Sequence, residues 1–223
     1  MSQLLFPPKC GGCLRPLKRH ERALCFFCLQ NLPIILNRKG PQLVDRSLTG
    51  RVPGIRGFAF LQFRNGATVQ RMLHQFKYHG QVEVGRALGN EFGKHLIPHF
   101  SNENVLLVPV PLHKRKLKVR GFNQCDAICE GLIEQLTGKI GHGLLERVKF
   151  KKSLTKLNRV ERAEATAELY KATRAPDFGM ENIPVLVVDD VITTGATMVA
   201  CCEALYLVGW KNVVALALCY ADS

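Results

Sequence analysis

Residues 185–197 read VLVVDDVITTGAT, and this segment determines the predicted fold of the chain. Its first four residues are apolar, as in a strand that is buried on both faces, and two adjacent carboxylates, Asp189 and Asp190, follow them. A turn of threonines and glycine then opens a second apolar segment that has the pattern of a helix. A strand that ends in acidic residues and turns into a helix is typical of the carboxyl edge of a parallel sheet. The segment therefore predicts an α/β fold with a ligand site at that edge.

The turn at residues 193–197 has the chemical groups that bind one phosphate. Backbone N–H groups, threonine hydroxyls and the positive end of a helix attract an oxyanion, and Gly195 lets the backbone approach it closely. The two carboxylates before the turn can accept hydrogen bonds from vicinal sugar hydroxyls. The segment lacks both the Gly-Lys-Ser/Thr of a Walker loop and the Gly-x-Gly-x-x-Gly of a Rossmann turn. The predicted ligand is therefore a sugar phosphate.

Strand and helix patterns alternate along most of the chain. Short apolar segments predict further strands at residues 57–63, 104–109, 143–148 and 212–220. Segments with helical spacing predict helices at residues 66–78, 81–96, 123–136 and 195–207. Repeated strand–helix–strand units imply right-handed crossovers and a mostly parallel sheet.

Four of the nine cysteines form the pattern Cys10-x2-Cys13-x11-Cys25-x2-Cys28. Two such pairs supply the four thiolates of a tetrahedral zinc site, and we expect Gly11 and Gly12 to adopt the positive φ angles of the turn. A disulfide framework is disfavoured in a chain without an export signal, and a redox pair would not occur twice. The other five, Cys125, Cys129, Cys201, Cys202 and Cys219, are predicted to pack in the core.

The charge is unevenly distributed. The 223 residues include 31 Lys+Arg and 18 Asp+Glu, for a net charge of +13. Residues 1–162 alone carry 28 basic and 10 acidic residues, and the rest of the chain has a net charge of −5. The basic residues are densest at residues 113–120 and 147–162. Either these are solvated lysine-rich surfaces, or they bind polyanions such as nucleic acid.

The sequence predicts a cytoplasmic protein without membrane insertion. No apolar run approaches the roughly 18–20 residues of a membrane span, and the first residues lack the features of a signal peptide. Residues 32–53 have little periodicity and are predicted to be a linker. We therefore expect a zinc ribbon and linker at residues 1–50 and an α/β domain at residues 51–223.

The segment at residues 185–197 resembles the phosphoribosyl-pyrophosphate signature of type I phosphoribosyltransferases. A second block, VPVPL at residues 108–112 followed by RGFNQ at residues 120–124, extends the resemblance. With the four cysteines in front, nearly the whole chain resembles the ComF competence family of the ComFC type, which is tied to DNA uptake in natural transformation. The resemblance implies a type I phosphoribosyltransferase-like sheet behind a zinc ribbon. It also implies structural zinc, and magnesium bound together with phosphoribosyl pyrophosphate.

The resemblance assigns roles to individual residues. Asp189 and Asp190 would bind the ribose hydroxyls and are the candidate catalytic residues. The 5′-phosphate would be held by Thr193, Thr194, Gly195, Ala196 and Thr197. The pyrophosphate loop would include Val110, Lys114, Arg115 and Arg120. The predicted nucleic-acid-binding residues are Lys114, Arg115, Lys116, Lys118, Arg120, Lys151, Lys152 and Arg162, with Tyr78, Phe122 and Phe150 as candidates for base stacking.

Residues 152–162 resemble the family's flexible segment, with two departures. Leu154 stands where glutamine is usual, and Ala165 stands where asparagine is usual, which weakens the case for an efficient transferase. The expected function is binding of single-stranded DNA, of phosphoribosyl pyrophosphate, or of both, during DNA uptake with other competence proteins. One alternative is an active phosphoribosyltransferase that modifies a nucleobase or another nucleophile. The other is a regulatory nucleic-acid binder that senses phosphoribosyl pyrophosphate.

Overall fold

Five parallel strands form the central sheet of the computed structural model, in the order β1-β7-β6-β2-β3. The structure describes residues 8–36, Val44, Leu48, Val52, 54–64, 68–148 and 169–221. Two further strands, β4 and β5, pair antiparallel as a separate ribbon. The strands are β1 (Arg56–Phe63), β2 (Val105–Pro109), β3 (Gly138–Ile140), β4 (Leu145–Arg147), β5 (Tyr170–Ala172), β6 (Val185–Ile192) and β7 (Val213–Ala221).

Helices cover both faces of the sheet. They are α1 (Phe26–Gln30), α2 (Thr68–Tyr78), α3 (Val82–Phe100), α4 (Lys114–Arg120), α5 (Gln124–Leu132) and α6 (Ala196–Leu207). Helices α2, α3 and α5 pack with the cysteine-rich residues 8–36 against one face, whereas α6 packs against the other. No helix within the described ranges is both long and apolar enough to cross a bilayer.

The register of the central strands explains why their sequences are continuously apolar. Leu107 pairs with Leu186 and faces the α3 and α5 side, and Val187 pairs with Ala215 and faces α6. Alternate residues of one strand therefore enter two different cores, and both sets are buried. This confirms the prediction of a mostly parallel α/β sheet with flanking helices.

The topology places a crevice between the carboxyl ends of β2 and β6. These strands are neighbours, but the chain leaves β2 through α5 on one face and leaves β6 through α6 on the other. Where connections diverge in this way, the loops after the two strands separate and leave room for a ligand. The fold therefore predicts a site between β2 and β6, the strand that carries Asp189 and Asp190.

Several elements differ from the sequence-based expectation; for example, the strand predicted at residues 143–148 is β4, which lies outside the central sheet. Residues 114–120, which include Lys114, Arg115 and Arg120 of the predicted pyrophosphate loop, form α4; this helix has no buried residue and therefore no apolar periodicity to indicate it. The His113 side chain accepts a hydrogen bond from the Arg115 N–H (3.2 Å) at its start, and Gly121 ends it with a φ of 81°. Strand β3 is three residues long and lies at the sheet edge, which leaves no alternating pattern.

The expectation that Gly11 and Gly12 adopt positive φ angles was wrong. The positive φ of this turn belongs to Leu14 (61°), and neither glycine has one. A Cβ on Gly11 would lie 2.5 Å from Val84, and one on Gly12 would lie 2.7 Å from Met72. The glycines are thus required by close packing of the cysteine turn on α2 and α3.

The segment predicted to be a linker also contributes to the core. Val44, Leu48 and Val52 belong to it, and all three are buried in the core on the α6 side. A boundary near residue 50 stays a prediction, but these side chains pack with the sheet and not with the cysteine cluster.

Candidate functional site

The four predicted zinc ligands lie together. The sulfur atoms of Cys10, Cys13, Cys25 and Cys28 are all within 4.8 Å of one another, and those of Cys13 and Cys25 are 3.7 Å apart. Four thiolates at Zn–S distances of about 2.3 Å in a tetrahedron have sulfur–sulfur distances of about 3.8 Å. The cluster therefore fits a zinc ion ligated entirely by protein. Such a site is structural, because no coordination position is open to a substrate.

Two of the four sulfur atoms accept hydrogen bonds from N–H groups. The backbone N–H groups of Gly12 and Cys25 donate to the Cys10 sulfur at 3.4 Å and 3.3 Å. Burial opposes ionisation of Cys13, but the Arg15 guanidinium donates to its sulfur at 3.4 Å, and the net effect lowers the Cys13 pKa to about 6. Burial raises the pKa of Cys25. The remaining cysteines, Cys125, Cys129, Cys201, Cys202 and Cys219, are buried, as predicted.

A second site is a cavity of about 220 Å³ at the carboxyl ends of β2 and β6. It brings together residues that are far apart in sequence and of opposite charge. Its polar lining comes from Lys77, Lys116, Arg120, Asn123, Gln124, Arg147, Tyr170, Asp189, Asp190 and Thr197. Separate segments of the chain thus meet at the crevice that the topology creates.

Asp189 and Asp190 form the acidic wall of the cavity. The Lys77 ammonium at the end of α2 contacts the Asp190 carboxylate at 2.5 Å, and both side chains are largely buried. The Asp189 carboxylate accepts hydrogen bonds from the Asp190 N–H at 2.8 Å and from the Cys125 thiol at 3.8 Å. Burial and the charge of Asp190 raise the pKa of Asp189 to about 7. The free site therefore holds a carboxyl that ionises near neutral pH.

The predicted phosphate turn lies directly beside this wall. Residues 193–198 line a small recess with Asp189, and Gly195 precedes α6 with a φ of 74°, a conformation that favours glycine. Thr197 lines both the recess and the larger cavity. A ligand whose phosphate occupies the recess would therefore extend past Thr197 into the larger cavity.

Arg120, at the end of α4, forms a basic wall of the cavity together with Lys116. Its guanidinium donates to the Gln124 side-chain oxygen at 2.6 Å and lies over the Tyr78 ring, 5.4 Å from its centroid. The Asn123 amide donates to the Val110 carbonyl at 3.1 Å and so ties the end of β2 to the start of α5. These contacts hold Arg120 in the wall of the cavity that also contains the two aspartates.

The structure separates the predicted basic residues into groups. Arg120 and Lys116 line the cavity, as does Val110, whereas Lys114, Arg115 and Lys118 lie on exposed faces of α4 and do not line it. The segment at residues 152–162, with Lys151, Lys152, Arg162, Phe150 and Ala165, lies outside the described residues. Among the predicted stacking aromatics, Tyr78 is exposed, whereas Phe122 is partly buried and packs 5.6 Å from Phe76.

Sequence reasoning did not assign several of the residues that line the cavity, Lys77 among them. Gln124, Cys125, Arg147 and Tyr170 line the cavity, and the Arg147 guanidinium lies 5.5 Å from the centre of the Tyr170 ring. Arg147 and Tyr170 are paired across the β4–β5 ribbon, whose strands are too short to give a pattern. Gln124 lies within the quoted RGFNQ block, which was the one available signal.

The fold and the two sites define the class of protein. It combines a parallel five-stranded sheet and its flanking helices with an N-terminal four-cysteine cluster. Two crystal forms of a hypoxanthine phosphoribosyltransferase from Staphylococcus aureus are similar, with TM-scores of 0.36 and 0.37 at 14% identity. The similarity covers 62% of this chain and 64% of that enzyme. The chain matches no protein-family model.

Sequence comparison identifies more specific relatives than the structural comparison does. The chain is homologous to the competence protein ComFC of Bacillus subtilis, at 28% identity over 130 residues, which are 58% of this chain and 50% of ComFC. It is also homologous to the DNA utilization protein YhgH of Salmonella typhimurium (25%) and Escherichia coli (29%), over 66% of this chain and 65% of those proteins. The matches thus span half to just under two thirds of the length of these relatives.

Proposed function

We propose that the protein takes part in DNA uptake or utilization and binds a 5-phosphoribosyl compound in the cavity between β2 and β6. The observation that supports this proposal is the single cavity that joins Asp189 and Asp190 to Thr197 on one side and to Arg120 on the other. The names of the relatives, a competence protein and DNA utilization proteins, supply the biological setting. A cytoplasmic location remains a prediction from the sequence.

The proposed pose follows from the chemistry of each wall. The 5′-phosphate would occupy the recess at residues 193–198, where the backbone turns into α6. The ribose hydroxyls would donate to Asp189 and Asp190. A pyrophosphate on the anomeric carbon would then lie towards Arg120 and Lys116, which can neutralise it. Magnesium would bind with the pyrophosphate oxygens and balance their remaining charge.

Single-stranded DNA is the second proposed ligand. Helix α4 presents Lys114, Arg115 and Lys118 to solvent beside the cavity, and no described residue forms an ion pair with them. Unpaired cations on an exposed helix attract phosphates. A strand along α4 would bring a terminal ribose 5-phosphate close to the cavity. Other competence proteins are further proposed partners.

Calorimetric titration of the zinc-loaded protein with phosphoribosyl pyrophosphate and magnesium tests the sugar-phosphate proposal. We expect saturable binding that is lost in Asp189→Asn/Asp190→Asn and is unchanged in the control Asp177→Asn, whose carboxylate is exposed and does not line the cavity. Equal binding by the wild type and the double variant would contradict the proposed pose.

An active phosphoribosyltransferase is the second candidate. The observation in its favour is the cationic wall of Arg120 and Lys116 in the same cavity as the acidic pair, because displaced pyrophosphate needs charge stabilisation as it leaves. Pyrophosphate release in the presence of a panel of nucleobases, and its loss in Arg120→Met, would support this candidate. Binding without release for any nucleobase would reject transfer to these acceptors and leave the binding proposal intact.

A further inference from the structure

The zinc-binding module, residues 8–36, exposes two adjacent aromatic rings. Phe26 and Phe27 in α1 are 68% and 62% exposed, although phenylalanine is usually buried. The helix cannot rotate to bury them, because Cys25 and Cys28 on either side of the pair point into the sulfur cluster. The cluster therefore fixes both rings towards solvent.

A guanidinium lies against one ring of this aromatic pair, and a basic turn is hydrogen-bonded to the start of the helix. One carboxylate oxygen of Glu21 accepts a hydrogen bond from the Lys18 backbone N–H at 2.7 Å. The other oxygen accepts one from the Phe26 backbone N–H at 2.9 Å. Glu21 thus fastens the turn at residues 18–22, with Lys18, Arg19 and Arg22, to the start of α1. On the other side, the Arg15 guanidinium lies 5.5 Å from the centre of the Phe27 ring.

The module is basic, and the carboxylate of its one acidic residue accepts backbone hydrogen bonds. Residues 8–36 contain five Lys or Arg residues and a single carboxylate, that of Glu21, which is occupied by backbone hydrogen bonds. Among the residues that the structure describes, the side chains of Lys18, Arg19 and Arg22 form no ion pair. Exposed aromatic faces next to uncompensated cations match a partner that has both phosphates and accessible flat bases.

We propose that this surface, Phe26 and Phe27 flanked by Arg15 and residues 18–22, is a stacking platform for single-stranded DNA. Bases stack on the two phenylalanine rings, and the neighbouring cations contact the phosphates on either side. Duplex DNA does not fit, because its bases are already stacked on one another. The platform lies on the zinc module and shares no residue with the cavity or with α4. It assigns the zinc module a binding role in addition to a structural one.

Anisotropy titration of the full-length, zinc-loaded protein with labelled oligo-dT of about 12 nucleotides tests this proposal. Phe26→Ser/Phe27→Ser should weaken binding about tenfold or more and leave the salt dependence unchanged, because stacking rather than charge is removed. Arg19→Ser/Arg22→Ser should instead reduce the slope of log K against log salt by about 1.4. Phe178→Ser is the matched control, since Phe178 is fully exposed but lies far along the chain between Asp177 and Glu181.

Further measurements distinguish a loss of base stacking from misfolding of the variant and from an effect on ligand binding in the cavity. Zinc content and ribose 5-phosphate affinity should be the same in Phe26→Ser/Phe27→Ser as in the wild type. An abasic oligonucleotide of equal length should bind both proteins equally, because it offers phosphates without bases. The proposal is overturned if the double variant binds oligo-dT as tightly as the wild type does, or if it loses the same factor on the abasic strand.

Discussion

Replacing Asp189 with asparagine should stabilise the free protein while removing its proposed sugar-binding group. Burial and the neighbouring charge of Asp190 raise the pKa of Asp189 to about 7, whereas an aspartate in an unfolded chain has a pKa of about 3.9. Between these values the unfolded chain has released the proton and the folded protein has kept it. Folding stability from this group therefore decreases as the pH rises from about 4 to about 7 and is constant above that. Asparagine does not ionise, so the variant avoids this loss.

The size of the effect follows from the shift. Three pKa units at about 1.4 kcal/mol each give an upper value of about 4 kcal/mol. The amide introduced by Asp189→Asn keeps an oxygen for the Asp190 N–H, which the wild-type carboxylate accepts at 2.8 Å. We expect a gain of roughly 2 to 4 kcal/mol at pH 8, or about 4 to 16 °C in Tm, and a much smaller gain at pH 5.

Thermal unfolding of both proteins from pH 5 to pH 8 measures this difference, with ligand absent. Asp177→Asn serves as the control, because Asp177 is exposed and should show no pH-dependent gain. If Asp189→Asn melts at or below the wild-type temperature at pH 8, or if its advantage does not grow with pH, Asp189 is not the destabilising carboxyl that we describe.

Three other substitutions test separate parts of the structure. Lys77→Met removes the ammonium at 2.5 Å from Asp190 and should lower the free energy of unfolding in urea by about 1 to 3 kcal/mol. The decrease should be larger at pH 8 than at pH 5, and a gain in stability would refute the ion pair. Cys28→Ser should lower both the zinc content and the urea midpoint, and an unchanged zinc content would show that Cys28 is not a ligand. Gly11→Ala places a Cβ 2.5 Å from the Val84 Cγ2 atom and should cost about 1 to 3 kcal/mol, so an unaltered midpoint would contradict the close packing on α3.

The sheet and its acidic edge were predictable because their signals are local. Strand β6 is buried on both faces and so has a continuous apolar sequence, and Asp189, Asp190 and the turn after them follow without interruption. The cysteine cluster is equally local, because two short pairs at a suitable spacing define it. For these parts of the chain, the order of residues along the sequence is also their order in the site.

The residues of the opposite wall of the cavity could not be predicted from a local sequence pattern. Lys77 reaches Asp190 from a helix more than a hundred residues earlier in the chain, and Arg147 and Tyr170 meet across a ribbon of two short strands. Helix α4 has no buried side chain, so its basic residues indicated the charge of the surface but not its helical form. These features depend on tertiary contacts that no local pattern specifies.

A crystal structure of the zinc-loaded protein with ribose 5-phosphate tests the proposed sugar-phosphate site most directly. We predict that the phosphate lies in the recess at residues 193–198, with its oxygens within hydrogen-bond distance of the backbone N–H groups there. The ribose hydroxyls should contact Asp189 and Asp190, and the Lys77 ammonium should shift from its position on Asp190 or share that carboxylate with the sugar. Ribose 5-phosphate bound elsewhere, or absent from this cavity at saturating concentration, would contradict the account.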